Sequence, residues 1–99
     1  MSHPKIGRTR AYLESEFPGL TIVEEESVPR DSFLLTVRRA EPRETHRALV
    51  TREFLNDTPE DQIEGTLRAW HLAEEMRRAE GDSVVVASDG LKGLIPSDL

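Results

Sequence analysis

The sequence contains no cysteine, and aromatic residues make up only 5% of its 99 residues. The absence of cysteine excludes disulfide bonds and thiolate metal sites. The longest wholly apolar run is the four residues 84–87, so the sequence predicts no membrane-spanning segment. The first ten residues also lack the apolar core of a secretory signal. We therefore expect a soluble, cytoplasmic protein without a disulfide framework.

The length and charge of the chain restrict the class of protein. A typical domain has ~100–150 residues, so we expect residues 1–99 to form a single compact domain, with residues 89–99 as a loose C-terminal tail. The net charge of −6 weakens the expectation of nucleic-acid or membrane binding. The charge is uneven, because residues 30–52 contain six arginines and three acids and carry +3, whereas the remaining residues carry −9.

Hydrophobic periodicity predicts the element order α-β-β-β-α-β. Apolar residues at helical spacing predict a helix over residues 4–17, with Ser2 as N-cap and Pro18-Gly19 as its end. Alternating or continuous apolar residues predict strands at residues 20–26, 33–39, 45–55 and 83–88. Short loops favour antiparallel pairing. We expect an α+β fold with an antiparallel three- to four-stranded sheet and two helices packed on one face.

The second helix is predicted over residues 59–80, with Thr58 as its N-cap. Two pairs of opposite charge have the favourable i,i+4 spacing, Glu64–Arg68 and Glu74–Arg78. Each such pair stabilises a helix by about 0.2–0.5 kcal/mol. We therefore expect both ion pairs on the exposed side of this helix.

The same periodicities define an expected hydrophobic core. It combines the inward positions of the strands with the apolar stripes of both helices. Its members are Ile6, Leu13, Phe17, Leu20, Ile22, Phe33, Leu35, Val37, Ala48, Val50, Phe54, Ile63, Leu67, Trp70, Ala73, Val84 and Val86.

The apolar stripe of the second helix is wider than one sheet face covers. It spreads over roughly 220° at 100° per residue, whereas a stripe somewhat over ~100° is usual. The surplus defines a candidate interface, formed by Ala69, Leu72, Ala73 and Met76. Two interpretations stay open. The first helix or the tail covers these residues within one chain, or a second protein covers them, either another copy in a homodimer or a different partner.

A candidate anion contact lies around the second predicted hairpin. It consists of five arginines, Arg38, Arg39, Arg43, Arg47 and Arg52. Guanidinium groups bind carboxylate or phosphate through two parallel hydrogen bonds. Pairing about the 41–44 turn would bring Arg38 and Arg47 close together, a like-charge contact that an anion or acid would relieve. The alternative is a solvated face on which Glu24, Glu25, Glu26 and Glu53 neutralise the arginines.

The order α-β-β-β-α resembles that of the double-stranded-RNA-binding domain. That family holds phosphates with a lysine-rich start to its second helix, whereas residues 58–62 here read Thr-Pro-Glu-Asp-Gln and would repel a phosphate. The order, acidity and size also resemble a shortened type III secretion chaperone, a family whose members dimerise and hold extended partners. The chain lacks room for that family's later strands and helix.

The polar residues show no pattern that requires a particular chemistry. His3, His46 and His71 have no metal-ligand spacing, and the Gly-x-Ser-x-Gly motif of a nucleophilic serine is absent, so we predict neither a metal nor a cofactor. The sequence favours a non-enzymatic protein-interaction domain, either a homodimer or a partner-binding module. Anion or nucleic-acid binding through the Arg-rich hairpin 38–52 is one alternative, and an enzyme with a dispersed site is another.

Overall fold

A computed structural model of the protein describes residues 5–27, 31–79 and 82–95, with side chains to residue 92. In it, segments with alternating apolar residues form strands, and segments with helical spacing of apolar residues form helices. The helices of this part of the chain are α1 (Ile6–Glu16), α2 (Arg52–Asp57), α3 (Ile63–Ala69) and α4 (Leu72–Ala79). The strands are β1 (Thr21–Ser27), β2 (Ser32–Arg39), β3 (Glu44–Thr51), β4 (Ser83–Ala87) and β5 (Gly90–Ile95). The predicted N-cap Ser2 lies outside the described residues.

The strands form one five-stranded mixed sheet in the order β1-β2-β3-β4-β5. The β1–β2 and β2–β3 pairs are antiparallel, as predicted, and so is β4–β5, but β3 and β4 are parallel. Helices α2, α3 and α4 lie between β3 and β4 in the chain, and such a crossover returns the chain to the end of the sheet where β3 began. The α+β class is therefore confirmed, while the expectation of a fully antiparallel sheet of three to four strands is corrected.

Strand β5 occupies residues that the sequence analysis assigned to a tail. Gly90 has a φ of 137°, which a residue with a side chain rarely adopts, and it allows the tight turn after β4. The pairing places Leu91 opposite Val86, with a register shift between Val84 and Val85. This irregularity interrupts the alternation by which a strand is detected in sequence. Residues 96–99 lie outside the described part of the chain.

Strand β3 ends at Thr51 rather than continuing to Leu55 as predicted, because α2 begins there. The hydroxyl of Thr51 accepts a hydrogen bond from the backbone N–H of Phe54 at 3.2 Å, which caps the new helix. Phe54 and Leu55 are both buried. Two adjacent residues of a strand point to opposite faces of the sheet, whereas one helix face accommodates both.

The predicted second helix, residues 59–80, is divided. A 3-10 turn at Glu60–Gln62 precedes α3, and the chain breaks again before α4, where His71 has a φ of 58°. A left-handed residue cannot continue a right-handed helix. Thr58 does not act as the predicted N-cap, since its N–H donates to the carbonyl of Phe54 and ends α2.

The two predicted ion pairs of this segment are replaced by others. Glu64 lies 3.7 Å from Arg8 of α1 instead of pairing with Arg68. Arg78 lies 3.1 Å from Glu75, three residues earlier, instead of pairing with Glu74. Each predicted pair lies within one helix, α3 or α4, so the break does not separate its members. The partners change because Arg8 of α1 approaches Glu64, and because Arg78 pairs with Glu75 at the i,i+3 spacing.

The hydrophobic core lies between the helices and one face of the sheet. All predicted core residues are buried except Leu20 and Trp70, which are half-buried and pack against the core. The sequence analysis missed further buried apolar residues, namely Tyr12, Leu49, Leu55, Leu72, Met76 and Ala79. The opposite face of the sheet carries half-exposed side chains such as Val23, Leu34 and Val85. We call this second face the open face.

Candidate functional site

The predicted interface on the second helix is mostly enclosed by the chain itself. Leu72, Ala73 and Met76 have 0% exposed surface. Ala69, the last residue of α3, is exposed. The structure therefore places three of these four residues in the core of the single chain. This arrangement is the first of the two that the sequence left open.

Two side chains from other elements contact this part of α4. The hydroxyl of Tyr12 on α1 accepts a hydrogen bond from the N–H of Ala73 at 3.1 Å. Nδ1 of His46 on β3 donates to the carbonyl of Met76 at 3.1 Å. The first helix and the sheet thus share the wide apolar stripe between them, which explains why it exceeds what a single sheet face covers.

Four of the five arginines predicted to contact an anion surround one pocket. The pocket lies at the β2–β3 turn, on the open face, and has a volume of about 500 Å³. Arg38, Arg39, Arg43 and Arg47 line it together with Thr21, Thr36 and Thr45. We call it the arginine pocket. The strand register explains the grouping, because Arg38 lies between Thr21 and Thr45, and Arg47 lies opposite Thr36.

The predicted contact between Arg38 and Arg47 is therefore diagonal. Each arginine faces a threonine on the neighbouring strand, and the two arginines are offset by two positions. Diagonal neighbours across antiparallel strands are ~7–8 Å apart at Cα, still within reach of long side chains. Two guanidinium groups at this spacing can approach one anion from two directions without direct contact between them.

The arginines differ in how far their charge is neutralised. Arg39 donates to the carboxylate of Glu44. Arg38 and Arg43, in contrast, form no ion pair within the described residues, and both are exposed. These two guanidinium groups are thus available to an external anion.

Arg52 lies apart from the arginine pocket. It donates to Asp31 at 2.6 Å and to Glu26 at 3.0 Å, and it lies over the Phe33 ring at 5.1 Å. The hydrogen bond to Asp31 is the main cause that raises the pKa of the Arg52 guanidinium above its usual value. Arg52 therefore links Glu26 of β1 to Asp31, and it does not line the arginine pocket.

Of the four glutamates expected to neutralise the arginines, Glu26 does so at Arg52, whereas Glu24 and Glu53 have other partners. Glu24 lies 3.8 Å from Arg10 of α1, and Glu26 pairs with Arg52. Glu53 accepts a hydrogen bond from Ser88 at 2.6 Å. The interpretation of a solvated, internally neutralised face therefore does not account for Arg38 and Arg43.

An apolar row crosses the open face next to the arginine pocket. Leu34, Leu49 and Val85 are register partners on three adjacent strands, and Glu25 on β1 continues the row beside Leu34. Leu34 and Val85 are half-exposed, and Leu49 between them is buried. The open face thus combines an apolar centre with a cationic end.

The two histidines in the described part of the chain lie in different surroundings. His46 is buried, stacks on the Phe17 ring at 5.1 Å, and places Nε2 2.7 Å from a Glu44 carboxylate oxygen. The hydrogen bond from His46 is the main cause that lowers the pKa of Glu44. His71 forms an exposed pair with Glu74 at 2.8 Å. The inward period of β3 was the sequence signal that could have placed His46 in the core.

The described part of the chain contains neither a cluster of metal ligands nor a membrane-spanning helix. No group of three or more His, Asp or Glu side chains in this part of the chain could hold a metal ion. None of the described helices is both long and apolar enough to span a bilayer. No family model, curated protein or solved structure matches the chain.

Proposed function

We propose that the protein is a non-enzymatic protein-interaction domain that binds an acidic, partly apolar segment of a partner protein on the open face of its sheet. One observation carries this proposal. The guanidinium groups of Arg38 and Arg43, which form no ion pair within the described residues, border the same pocket as Arg47.

The charge of the arginine pocket is unusual for this chain. The net charge is −6, yet four arginines gather at one end of the open face. Neighbouring guanidinium groups repel one another, and a bound carboxylate relieves that repulsion while accepting charge-assisted hydrogen bonds. The hydroxyls of Thr21, Thr36 and Thr45 supply further donors at the same place. Together these groups suit a carboxylate.

The apolar row supports a protein segment over a nucleic acid. Leu34 lies two residues from Thr36 and Leu49 two residues from Arg47, so the row begins ~7 Å from the arginine pocket along the strands. A peptide with alternating acidic and apolar side chains matches this spacing. A phosphate backbone offers no apolar groups of that kind, and its many charges would meet the acidic remainder of the chain.

This proposal joins two hypotheses that the sequence kept separate. It retains the protein-interaction domain but moves its surface from the α4 residues to the open face. It also retains the arginine contact, now formed by Arg38, Arg43 and Arg47 without Arg52. The enzyme with a dispersed site stays a sequence-based alternative.

The test is isothermal titration calorimetry with the peptide Glu-Leu-Glu-Leu-Glu-Leu and with its lysine counterpart Lys-Leu-Lys-Leu-Lys-Leu. The variant is the double change Arg38→Gln and Arg43→Gln. The control is Arg8→Gln, which removes one positive charge from an exposed site on α1, away from the open face. We expect the acidic peptide alone to bind, with an affinity that falls as salt is added.

The double variant should raise the Kd for the acidic peptide by about tenfold or more, which is the loss of about 1.4 kcal/mol, and Arg8→Gln should leave it unchanged. The proposal would be contradicted if both peptides bound equally well, or if Arg8→Gln raised the Kd as much as the double variant does. Tighter binding of a twelve-residue oligothymidylate would favour nucleic acid instead. A dimer in light scattering that the double variant dissociates, without peptide binding, would assign the open face to a second copy.

A further inference from the structure

A second concave surface lies on the helix side of the sheet, around the only tryptophan of the chain. Trp70 follows α3 at the break before α4, and its ring contacts Phe54 at 5.6 Å between centroids. It is half-buried rather than enclosed in the core. A groove of about 590 Å³ runs from Trp70 between α4 and the β4–β5 turn. We call it the Trp70 groove.

The charges around the Trp70 groove neutralise one another. On the α4 side, Arg78 lies 3.1 Å from Glu75. On the β5 side, Lys92 lies 2.9 Å from Asp89. Each side of the groove thus carries one cation and one anion in contact, and neither side presents an excess of one sign. An ionic ligand would have to compete with these pairs.

The remaining lining is apolar. Trp70 and Leu91 are half-buried and expose part of their apolar surface, and Ala79 and Val84 lie beside them. Small-molecule sites have volumes of ~300–1,000 Å³, mostly apolar linings and a few polar groups. The Trp70 groove lies within this size range, and five of its nine lining residues are uncharged. An indole ring also offers a flat surface on which an aromatic ring stacks.

The backbone next to Trp70 supports a binding role. His71 adopts a φ of 58°, and this left-handed conformation costs free energy in a residue with a side chain. A continuous helix would avoid this cost. Such strain concentrates at ligand sites, because the surrounding structure maintains it for function. Here it coincides with the position of Trp70 at the groove.

We infer that the Trp70 groove binds a small, uncharged aromatic molecule. This site is separate from the open face, because Leu91 and Val84 lie on the helix side of the sheet, whereas Leu34 lies on the other side. The inference therefore does not depend on the proposed function.

The test uses two-dimensional proton–nitrogen NMR of the full chain. Because Trp70 is the only tryptophan, the single indole N–H signal reports directly on the groove. The probe is naphthalen-2-ylmethanol, an uncharged aromatic alcohol, and naphthalene-2-carboxylate is its charged counterpart. We expect the alcohol to shift the indole signal in a saturable way, and the carboxylate to require about tenfold higher concentration.

The variant Leu91→Glu places a charge in the groove, and Leu34→Glu places the same charge on the open face as a matched control. Both residues are half-buried in the wild-type protein. We expect Leu91→Glu to raise the Kd for the alcohol by about tenfold or more, and Leu34→Glu to leave it within about twofold. The milder variant Leu91→Thr should weaken binding in the same direction, and it replaces Leu91→Glu if the latter does not fold.

Two outcomes would overturn the inference: an indole signal that does not respond to the alcohol, or a loss of binding in Leu34→Glu equal to that in Leu91→Glu. The double variant Arg38→Gln and Arg43→Gln should bind the alcohol as the wild type does. This last measurement shows whether binding in the Trp70 groove is independent of binding in the arginine pocket.

Discussion

The hydroxyl oxygen of Tyr12 accepts a hydrogen bond from the backbone N–H of Ala73 at 3.1 Å, across 61 residues of chain. Ala73 lies in the first turn of α4, where backbone N–H groups have no partner within the helix. Burial raises the pKa of Tyr12, so its hydroxyl stays protonated and neutral in the core. This one contact joins α1 to α4 and covers residues that the sequence assigned to an interface.

Replacing Tyr12 by Phe should destabilise the protein by about 1–3 kcal/mol, because the N–H of Ala73 would stay buried without an acceptor. Urea unfolding measures this loss. Ser15→Ala serves as the control, since its hydroxyl bonds an α1 carbonyl at an exposed site and its loss should change stability by less than about 0.5 kcal/mol. If the two changes lowered the free energy of unfolding equally, the Tyr12–Ala73 hydrogen bond would contribute no more to stability than an exposed hydrogen bond does.

The division between α3 and α4 can be tested by comparing two substitutions at His71, whose side chain is exposed. At its φ of 58° glycine is favoured over alanine, so His71→Gly should be more stable than His71→Ala by about 1 kcal/mol. In a continuous helix the order reverses by about 1 kcal/mol. Thermal unfolding of both variants therefore distinguishes the divided helix from the continuous one, and a more stable alanine variant would disprove the break.

Thr51 joins the end of β3 to two other elements. Its hydroxyl accepts from the N–H of Phe54 at 3.2 Å and donates to the carbonyl of Val86 at 2.8 Å. Thr51→Val keeps the shape but removes both bonds, and it should lower the free energy of unfolding by about 1–2 kcal/mol. Thr51→Ser keeps the hydroxyl and should retain most of the stability. Equal stability of the two variants in chemical denaturation would argue against the cap.

The pair of Glu44 and His46 predicts how stability depends on pH. The pKa of Glu44 is lowered from about 4.5 by the hydrogen bond with His46, with a further contribution from Arg39. A lowered carboxyl pKa contributes stability that is present above pH 4.5 and is lost as the pH falls through the folded-state pKa. In Glu44→Gln this contribution is absent at every pH.

We therefore expect the free energy of unfolding to fall more steeply below pH 4.5 in the wild type than in Glu44→Gln. Denaturant titrations from pH 7 downwards provide the measurement, with Glu41→Gln, an exposed change in the same turn, as control. Parallel curves for wild type and Glu44→Gln would show that this pair is not the source of the acid sensitivity.

Local patterns predicted much of the fold. The alternation at residues 33–39 and the turn at 41–44 specify the β2–β3 hairpin, because a register slip by one residue would turn Leu35 and Val37 outward. The helices around residues 6–16 and 63–79 were also found from their apolar spacing. Each of these patterns involves only a few neighbouring residues, so the strands and helices can be predicted from the sequence alone.

The sequence named five arginines as a candidate anion contact, and the structure groups four of them, Arg38, Arg39, Arg43 and Arg47, around the arginine pocket. The sequence could not show that Arg52 pairs with Asp31, which lies 21 residues away in the chain. The Trp70 groove could not be predicted, since helical spacing places Trp70 in the core and nothing local announces a left-handed residue at His71. In both cases the missing information is the identity of a distant neighbour.

By itself, the sequence determined the α+β class, the antiparallel hairpins of β1 to β3 and most of the core, because periods of 2 and 3.6 residues express which side of each element is apolar. Only the tertiary structure decided that β4 lies parallel to β3, that β5 extends the sheet, and that Tyr12 covers α4. Those outcomes depend on contacts between residues far apart in the chain. Contacts of the same kind pair Arg52 with Asp31 and leave Arg38 and Arg43 without an ion pair among the described residues.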